Sequence, residues 1–527
     1  MALVNDSARG NTAQNSWGQS GGLSKEIMNK LERLKIRLGE VCDLKRAGAL
    51  LSWDQQTYMP SGGGPARAEQ LATLERLAHD QFASEEVGEW LEGAAAEAKS
   101  LSYESDDASL IRIARRDYEK ALRVPPALVG EIARQTSLGM ETWVKARVSS
   151  DFALFRNSLQ TIISLQRELA GCLGYQERPY DALLDQYEPG MKSADLDGLF
   201  SKLKTELVPM LESISQNLGS VDDGVLHQHF PAQKQLAFGL ELAQKMGFDL
   251  SRGRQDQSVH PFCTSFSIHD VRITTRLDEN FLSPALFGTL HECGHALYEQ
   301  GVSPKLERTL LSGGTSLGIH ESQSRLWENL VGRSRGFWKF AYPRLHTTFS
   351  QEFGKCSVES FYRAINRVEP SLIRVEADEV TYNLHIMLRY ELEVDLLEET
   401  LRAKDLPEAW NSKMRSYLGI VPSSDAMGVL QDVHWSHGLI GYFPTYTLGN
   451  LASVQLYNQA KKAIPTLPTE IERGEFSHLL DWLRTHIHRP GRKFLPDELV
   501  KRVTGNILSA EPFIAYLKMK YSEIYTG

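Results

Sequence analysis

The chain has 527 residues, 42% of them apolar, and a formal net charge of −9. Such a chain can bury a large core and is long enough for two to four domains of ordinary size; its acidic balance argues against a general nucleic-acid or anionic-membrane surface, and no apolar run approaches a transmembrane span. Five cysteines, at positions 42, 172, 263, 293 and 356, are odd in number and lack paired metal-type spacing, so they read as reduced thiols of an intracellular, cytoplasmic protein.

Residues 1 to 24 are polar, rich in Ser, Gly and Asn, and without the apolar stretch of a secretory signal; they read as a flexible tail. From about residue 25 the chain turns into long helical patterns, first to about 52, then past a break at Pro60 and Gly62-Gly63-Gly64, then through the Ala- and Glu-rich stretch at 93 to 98. Amphipathic stretches follow over 104 to 122, 126 to 174, 193 to 218 and 231 to 246, with no internal repeat. Residues 262 to 278 break the pattern. Phe266, Ile268, Val271, Ile273 and Thr274-Thr275 give an alternating pattern of aromatic and β-branched residues, which predicts a small sheet that walls a cleft and offers backbone groups to an extended peptide. In the next helix Ser283 is the expected N-cap, Pro284 the first helical residue, and Gly301 with Pro304 the stop.

Inside that helix lies His291-Glu292-Cys293-Gly294-His295. Positions i and i+4 share a helix face, so both imidazoles can grip one metal ion. Glu292 then stands beside the ion, placed as a general base for a water that the metal acidifies. Leu286, Leu290, Cys293 and Leu297 form the buried stripe, with Cys293 a small core residue, and the two histidines look into a cleft. A third ligand is required. The extended motif with a further Gly and His fails, because Tyr298 and Gly301 occupy those positions. Glu299 sits a turn too far along. Glu321 opens a second helical pattern, through Trp327 and Leu330, after the turn at Gly313-Gly314; two antiparallel helices would bring it beside the histidine pair, with His320 and Gln323 supporting the ligands from behind.

These residues resemble the M32 metallocarboxypeptidases, the carboxypeptidase Taq family. The resemblance runs through His260-Pro261-Phe262, Asp270-Val271-Arg272-Ile273-Thr274, the His291 to His295 motif, His320-Glu321-Ser322-Gln323, Ile373-Arg374-Val375-Glu376-Ala377-Asp378 and Gly428 to Trp435. It continues in Trp53-Asp54-Gln55 through Met59-Pro60, in Tyr187 to Met191 and in Gly441 to Tyr446. It implies His291, His295 and Glu321 as ligands of one divalent ion per chain, zinc first with cobalt or manganese compatible, and Glu292 as base. It further implies a mainly α, groove-bearing zinc-peptidase fold with a small β-sheet near the active site, one catalytic domain over residues 25 to 527, a homodimer, and removal of single residues from peptide C-termini.

A carboxypeptidase needs a fixed cation for the terminal carboxylate, and arginine offers a planar fork for it. Arg374 is the first candidate and Arg272 the second, although neighbouring acids could make either an ion-pair strut. His260 and Gln431 are further substrate-binding candidates. The tetrahedral oxyanion needs a donor opposite Glu292, for which His434 with Tyr442 or Tyr446 is expected; Trp435 reads as aromatic core, and His437 has no assigned role. Two other classes compete: a di-metal helical-bundle oxidase using Glu292-x-x-His295 and Glu475-x-x-His478, and a non-catalytic peptide-binding protein on a peptidase fold.

Overall fold

The computed structural model describes residues 29–525, so the expected tail lies outside the described residues. Four helices come first: α1 (Lys30–Thr57), α2 (Gly64–Phe82), α3 (Glu85–Glu97) and α4 (Asp106–Arg123). They are punctuated by Pro60 and by Ser84 and Ser105 at N-cap positions. The continuous pattern expected over 126 to 174 is two packed helices, α5 (Pro126–Ser149) and α6 (Phe152–Leu173). The turn between them needs only Ser150 at φ 54° and Asp151, whose side chain caps α6 at Ala153, so neither Gly nor Pro marks it in the sequence. Helices α7 (Pro179–Leu184), α8 (Ser193–Ser215) and α9 (Ala232–Met246) follow.

The expected sheet is present, with three strands: β1 (Gly253–Gln257), β2 (Cys263–Ser267) and β3 (Asp270–Thr275). β3 is central, parallel to β1 and antiparallel to β2. Residues Val271, Ile273, Thr274 and Thr275 of β3 are buried beneath α10 (Leu282–Gly301), where the Thr275 hydroxyl donates to the Ala285 carbonyl. α10 starts earlier than its sequence signals predict. Asp278 accepts from the backbone of Asn280 and Phe281, Phe281 is the extended N-cap residue at φ −151°, and Ser283 and Pro284 fall inside the first turn. Proline is tolerated there because the N–H it lacks would have no helical partner.

The chain then forms α11 (Leu317–Arg325), which a π-type turn continues over Leu326–Val331, and α12 (Arg335–Thr348), α13 (Ser350–Phe353) and α14 (Val358–Ile365). It closes with α15 (Tyr382–Leu397), α16 (Leu406–Leu418), α17 (Pro444–Ala463), α18 (Leu467–Glu472), α19 (Ser477–Leu483), α20 (Pro496–Thr504) and α21 (Glu511–Tyr525). The architecture is therefore mainly helical with one small sheet. The main hydrophobic core runs from Trp143 to Tyr525. A separate smaller core joins α1 to α4 with Ile268, Val302, Leu306 and Leu311.

Three helices meet at glycines. A Cβ on Gly294 of α10 would lie 2.6 Å from the Gln323 carbonyl oxygen and the Ser324 Cα, both backbone atoms of α11. A Cβ on Gly449 of α17 would lie 2.5 Å from Glu321 Cγ. Bare backbone at both points thus lets α10, α11 and α17 close on one another, and brings Glu321 beside His291 and His295. Because backbone cannot yield as a flexible side chain does, Gly294→Ala should cost about 1–3 kcal/mol of stability by overpacking. Gly171 of α6 is exposed with nothing within 4 Å of its added Cβ, so Gly171→Ala should stabilise by about 0.5–1 kcal/mol through helix propensity. Chemical denaturation of both variants checks this pair; Gly294→Ala at wild-type stability would mean that α10 and α11 have slack between them.

Candidate metal centre

His291, His295 and Glu321 offer ligand atoms that all lie within 4.8 Å of one another. Glu321 Oε2 is 3.6 Å from His291 Nε2 and 3.4 Å from His295 Nε2. Ligands held at about 2.1 Å around a tetrahedral ion sit about 3.4 Å apart, so the donor set fits one divalent ion.

The far side of each ligand is fixed. His291 Nδ1 is 2.9 Å from Glu328 Oε2. His295 Nδ1 is 2.5 Å from His320 Nδ1, and His320 Nε2 is 2.9 Å from Glu299 Oε1. Since Glu299 accepts from His320 Nε2–H, His320 Nδ1 is the acceptor and His295 must donate through Nδ1–H. His295 Nε2 is then a free lone pair facing the ion position, the usual support for a metal-binding histidine. Glu321 Oε1 accepts from Arg325 Nε at 2.7 Å and Oε2 from Ser324 Oγ at 3.0 Å. Arg325 Nη1 reaches Glu328 at 3.2 Å, which closes a ring from Glu321 through Arg325 and Glu328 to His291.

The field at this point favours a cation. Burial alone would lift the Glu321 carboxyl, but Arg325 and the histidines hold it far below its usual range. Burial likewise opposes ionisation of Glu328, yet Arg325 and His291 bring it down to about 2. His291, although burial disfavours its charge, is pushed up to about 9 by Glu321 and Glu328. His295 goes the other way, down to about 3, through burial and the neighbouring His320. The two agree chemically: the carboxylates invite positive charge at the Nε2 side, while His295 itself stays neutral. Among the described residues, Glu292 forms no ion pair with this ring of ligand supports, although it interacts electrostatically with His291. Burial, opposed by His291 and reinforced by Glu321 and Glu328, pushes it up to about 7. Cys293 is fully buried against the Ala243 carbonyl, and burial drives its thiol far up, so it is inert packing.

α11 is set by a remote carboxylate. Ser316 caps the helix at Ile319 and donates to Glu188 Oε1, while Glu188 Oε2 accepts from Gly318 N at 2.9 Å and the Tyr187 carbonyl accepts from Leu317 N. Burial lifts Glu188 to about 8 against those hydrogen bonds.

A second constellation adjoins the first through Tyr382. The Arg325 guanidinium lies 4.4 Å from its ring centre, and the Tyr382 hydroxyl accepts from Arg374 Nη1 at 3.0 Å. Arg374 is 5% exposed and donates through Nε and Nη2 to Asp432 Oδ1, while Arg389 holds Asp432 Oδ2 at 2.7 Å. Burial opposes the Arg374 charge, but Asp432 outweighs it. Gln431 accepts from Arg374 N and donates to the Leu372 and Met427 carbonyls, so its amide fixes the loop that carries Arg374. His434 Nε2 lies 3.4 Å from the Tyr446 hydroxyl, and the Tyr442 and Tyr446 ring centres are 5.5 Å apart. Burial keeps His434 neutral, down to about 3, and holds both phenols protonated. Hence Arg374, Gln431, His434, Tyr442 and Tyr446 gather on one side of the triad.

Of the remaining candidates, Arg272 pairs elsewhere, whereas His260 lies within electrostatic range of Arg374 and Asp432. Arg272 forks onto Asp270 and stacks 4.3 Å from the centre of Trp53 of α1. His260 is exposed on the loop between β1 and β2; burial of part of its ring and the charges of Arg276, Arg147 and Arg374 lower its pKa. Gln323 does not support the ligands as expected, because its side chain turns away to His488 Nε2 and Ser322. Glu475 pairs with Arg473, and His478 with Glu470, rather than with a second metal position. The sequence reading passed over Arg325, Glu328, Glu188, Tyr382, Asp432 and Arg389. Arg325 and Glu328 had a signal, since i+4 and i+7 from Glu321 share its helix face; the others reach the site from distant segments.

The comparisons with known proteins agree with this geometry. Residues 33–521 match the family model described as carboxypeptidase Taq (M32) metallopeptidase. Thermostable carboxypeptidase 1 of Thermus thermophilus is 46% identical over 496 residues, 92% of this chain and 97% of that protein. Carboxypeptidase 1 of Bacillus subtilis is 39% identical, covering 95% of this chain and 98% of its own. The crystal structure of the M32 carboxypeptidase from Deinococcus radiodurans superposes with a TM-score of 0.92 at 40% identity, over 94% of this chain and 100% of that one. This chain belongs to the carboxypeptidase Taq (M32) metallopeptidases, a family of metal-dependent peptide hydrolases.

Proposed function

We propose that the protein removes single amino acids, with broad side-chain tolerance, from the free C-termini of peptides, using zinc at His291, His295 and Glu321. The observation that carries this reading is the joining of that donor set, through Arg325 and Tyr382, to a buried arginine, Arg374, of matching use: a catalytic centre at one end and a fixed cation at the other. The named relatives, all carboxypeptidases, support it.

A divalent ion held by His291, His295 and Glu321 would supply Lewis-acid polarisation of the scissile carbonyl and a lowered pKa for water. Glu292 takes the proton of the attacking water and returns it to the leaving amine. His434, with the protonated phenols of Tyr442 or Tyr446, donates to the oxyanion. Arg374 keeps two N–H groups beyond those given to Asp432 and Tyr382. Together with Arg389 and Asp432 it leaves one net positive charge to meet the terminal carboxylate, with Gln431 fixing its loop and Arg272 and His260 farther along the peptide. The reading extends to a homodimer in the cytoplasm, supported for the compartment by the few, unpaired cysteines.

Three outcomes follow. Glu292→Gln should retain full metal content and lower kcat by about 10²–10⁴-fold, measured on a peptide with a free C-terminus; wild-type turnover would reject the base. Arg374→Ala should raise KM for free-acid peptides by about 10- to 100-fold, the scale of a lost hydrogen bond to a charged group, while residual cleavage of C-terminally amidated peptides stays as it was. Equal effects on both peptides would remove Arg374 as anchor. His320→Ala, which frees His295 Nδ1, should weaken metal binding about 10–100-fold in competition with a chelating dye; an unaltered affinity would show that His295 needs no support from behind.

A further inference from the structure

Glu393 on α15 is 0% exposed and has no basic partner within salt-bridge distance among the described residues. Its carboxylate accepts three hydrogen bonds: from Trp435 Nε1 at 2.9 Å on Oε1, and from the Tyr180 hydroxyl at 2.8 Å and Gly441 N at 3.1 Å on Oε2. Burial pushes it up to about 7, against the pull of those three donors and of Arg389. A carboxyl kept in a dry interior with neutral donors is expensive.

The donors explain what it holds. Trp435 and Gly441 are the two ends of a tight loop: the turn His434–His437, Gly438 at φ 69°, and a hydrogen bond from Leu439 N to the His434 carbonyl. His434 immediately precedes this span and Tyr442 immediately follows it. The far end is locked by its own backbone, because Gly441 sits at φ 90° and an added Cβ would lie 2.9 Å from Leu184 N. One turn earlier on α15, Arg389 grips Asp432, just before the same span. α15 therefore holds the segment at both ends, by a cation at 432 and by an anion at 435 and 441.

We propose that Glu393 is a positioning residue for the hydrolysis: by gripping Trp435 and Gly441 with one carboxylate it sets the spacing of His434 and Tyr442, which face the oxyanion. It rests on the role given to His434 and Tyr442 above. Glu393 touches no substrate atom, and its effect passes entirely through the loop. Tyr180, the third donor, belongs to α7 and lies outside that loop, so it shares the carboxylate without sharing the function.

This difference supplies the test. Three variants each alter one part of the same knot: Trp435→Phe removes the indole N–H together with the bulk of the indole's second ring, which packs against Trp410, Tyr180→Phe removes only the phenol hydroxyl, and Glu393→Gln leaves one of the three donors facing an amide N–H. Steady-state kinetics on a free-acid peptide, metal content and melting temperature are measured for all three, with His434→Ala and Tyr442→Phe alongside. Displacement of a catalytic group by about 1 Å can cost up to about 10²-fold in rate, so Trp435→Phe and Glu393→Gln should lose about tenfold in kcat with KM and metal content unchanged. Tyr180→Phe should lose melting temperature but keep its kcat. If Trp435→Phe retains wild-type kcat, or Tyr180→Phe falls as far as Trp435→Phe, the carboxylate is a structural tie only and the inference is overturned. Should Glu393→Gln fail to fold, wild-type kcat in Trp435→Phe still overturns the inference. If His434→Ala and Tyr442→Phe both retain full kcat, the role given to that segment fails and this inference with it; if they fall while Trp435→Phe and Glu393→Gln do not, only the inference fails.

Discussion

The closeness of α10 to α11 is the constraint on which the site depends. Two histidines on one helix can always point the same way, but a carboxylate from another helix reaches them only if the backbones nearly touch. Gly294, the fourth residue of the metal motif, removes the side chain that would hold α11 off, and Gly449 does the same for α17 on the opposite side of Glu321. The approach is made from three directions, since Glu188 seizes the N-terminal turn of α11 from a segment 130 residues earlier in the chain. None of these contacts involves a reacting atom, yet each fixes where Glu321 stands.

Charge burial is the second organising problem. Glu321, Glu328, Arg325, Arg374, Arg389 and Asp432 all lie in the interior or at its edge, and each unpaired charge there would be strongly destabilising. The solution is alternation. Arg325 divides itself between Glu321 and Glu328, Asp432 between Arg374 and Arg389, and Tyr382 lies between the two groups, against Arg325 on one side and Arg374 on the other. The first group is short of one positive charge at the histidine Nε2 atoms, and the second carries one in excess. A metal ion and a carboxylate-ended peptide are complementary to that pair.

Much of this was legible in the sequence where the signal is local. Four-residue spacing marks His291 and His295, the Gly-rich turn before α11 leads to Glu321, and β-branched residues mark β3. Local signals fail where the partner is far away in the chain. β1 reads Gly-Arg-Gln-Asp-Gln and has no strand pattern, because its pairing with β3, not its own side chains, makes it a strand. Ser283 has the chemistry of a cap, yet a turn around Asp278 starts the helix before it. Gln323 lies close to Glu321 in sequence but points at His488, which lies 165 residues downstream and cannot be foreseen from spacing. Glu188 and Glu393 are of the same kind: buried acids whose partners are backbone amides and neutral donors in remote segments.

The smaller core shared by α1 to α4 makes the molecule energetically uneven. These helices bury their apolar faces mostly among themselves, and meet the rest through Ile268, Val302, Leu306 and Leu311, the Tyr58 to Asp256 hydrogen bond, the Arg272 guanidinium stacked on Trp53, and ion pairs that include Arg46 to Glu307, Arg116 to Asp185 and Arg492 to Asp117. Loss of those contacts would leave the main core, the metal ligands and the Arg374 cluster packed as they are. Amide exchange in α1 to α4 thus belongs to a sub-global opening, below the free energy of complete unfolding, and each such opening unstacks Arg272 and bares one face of the sheet.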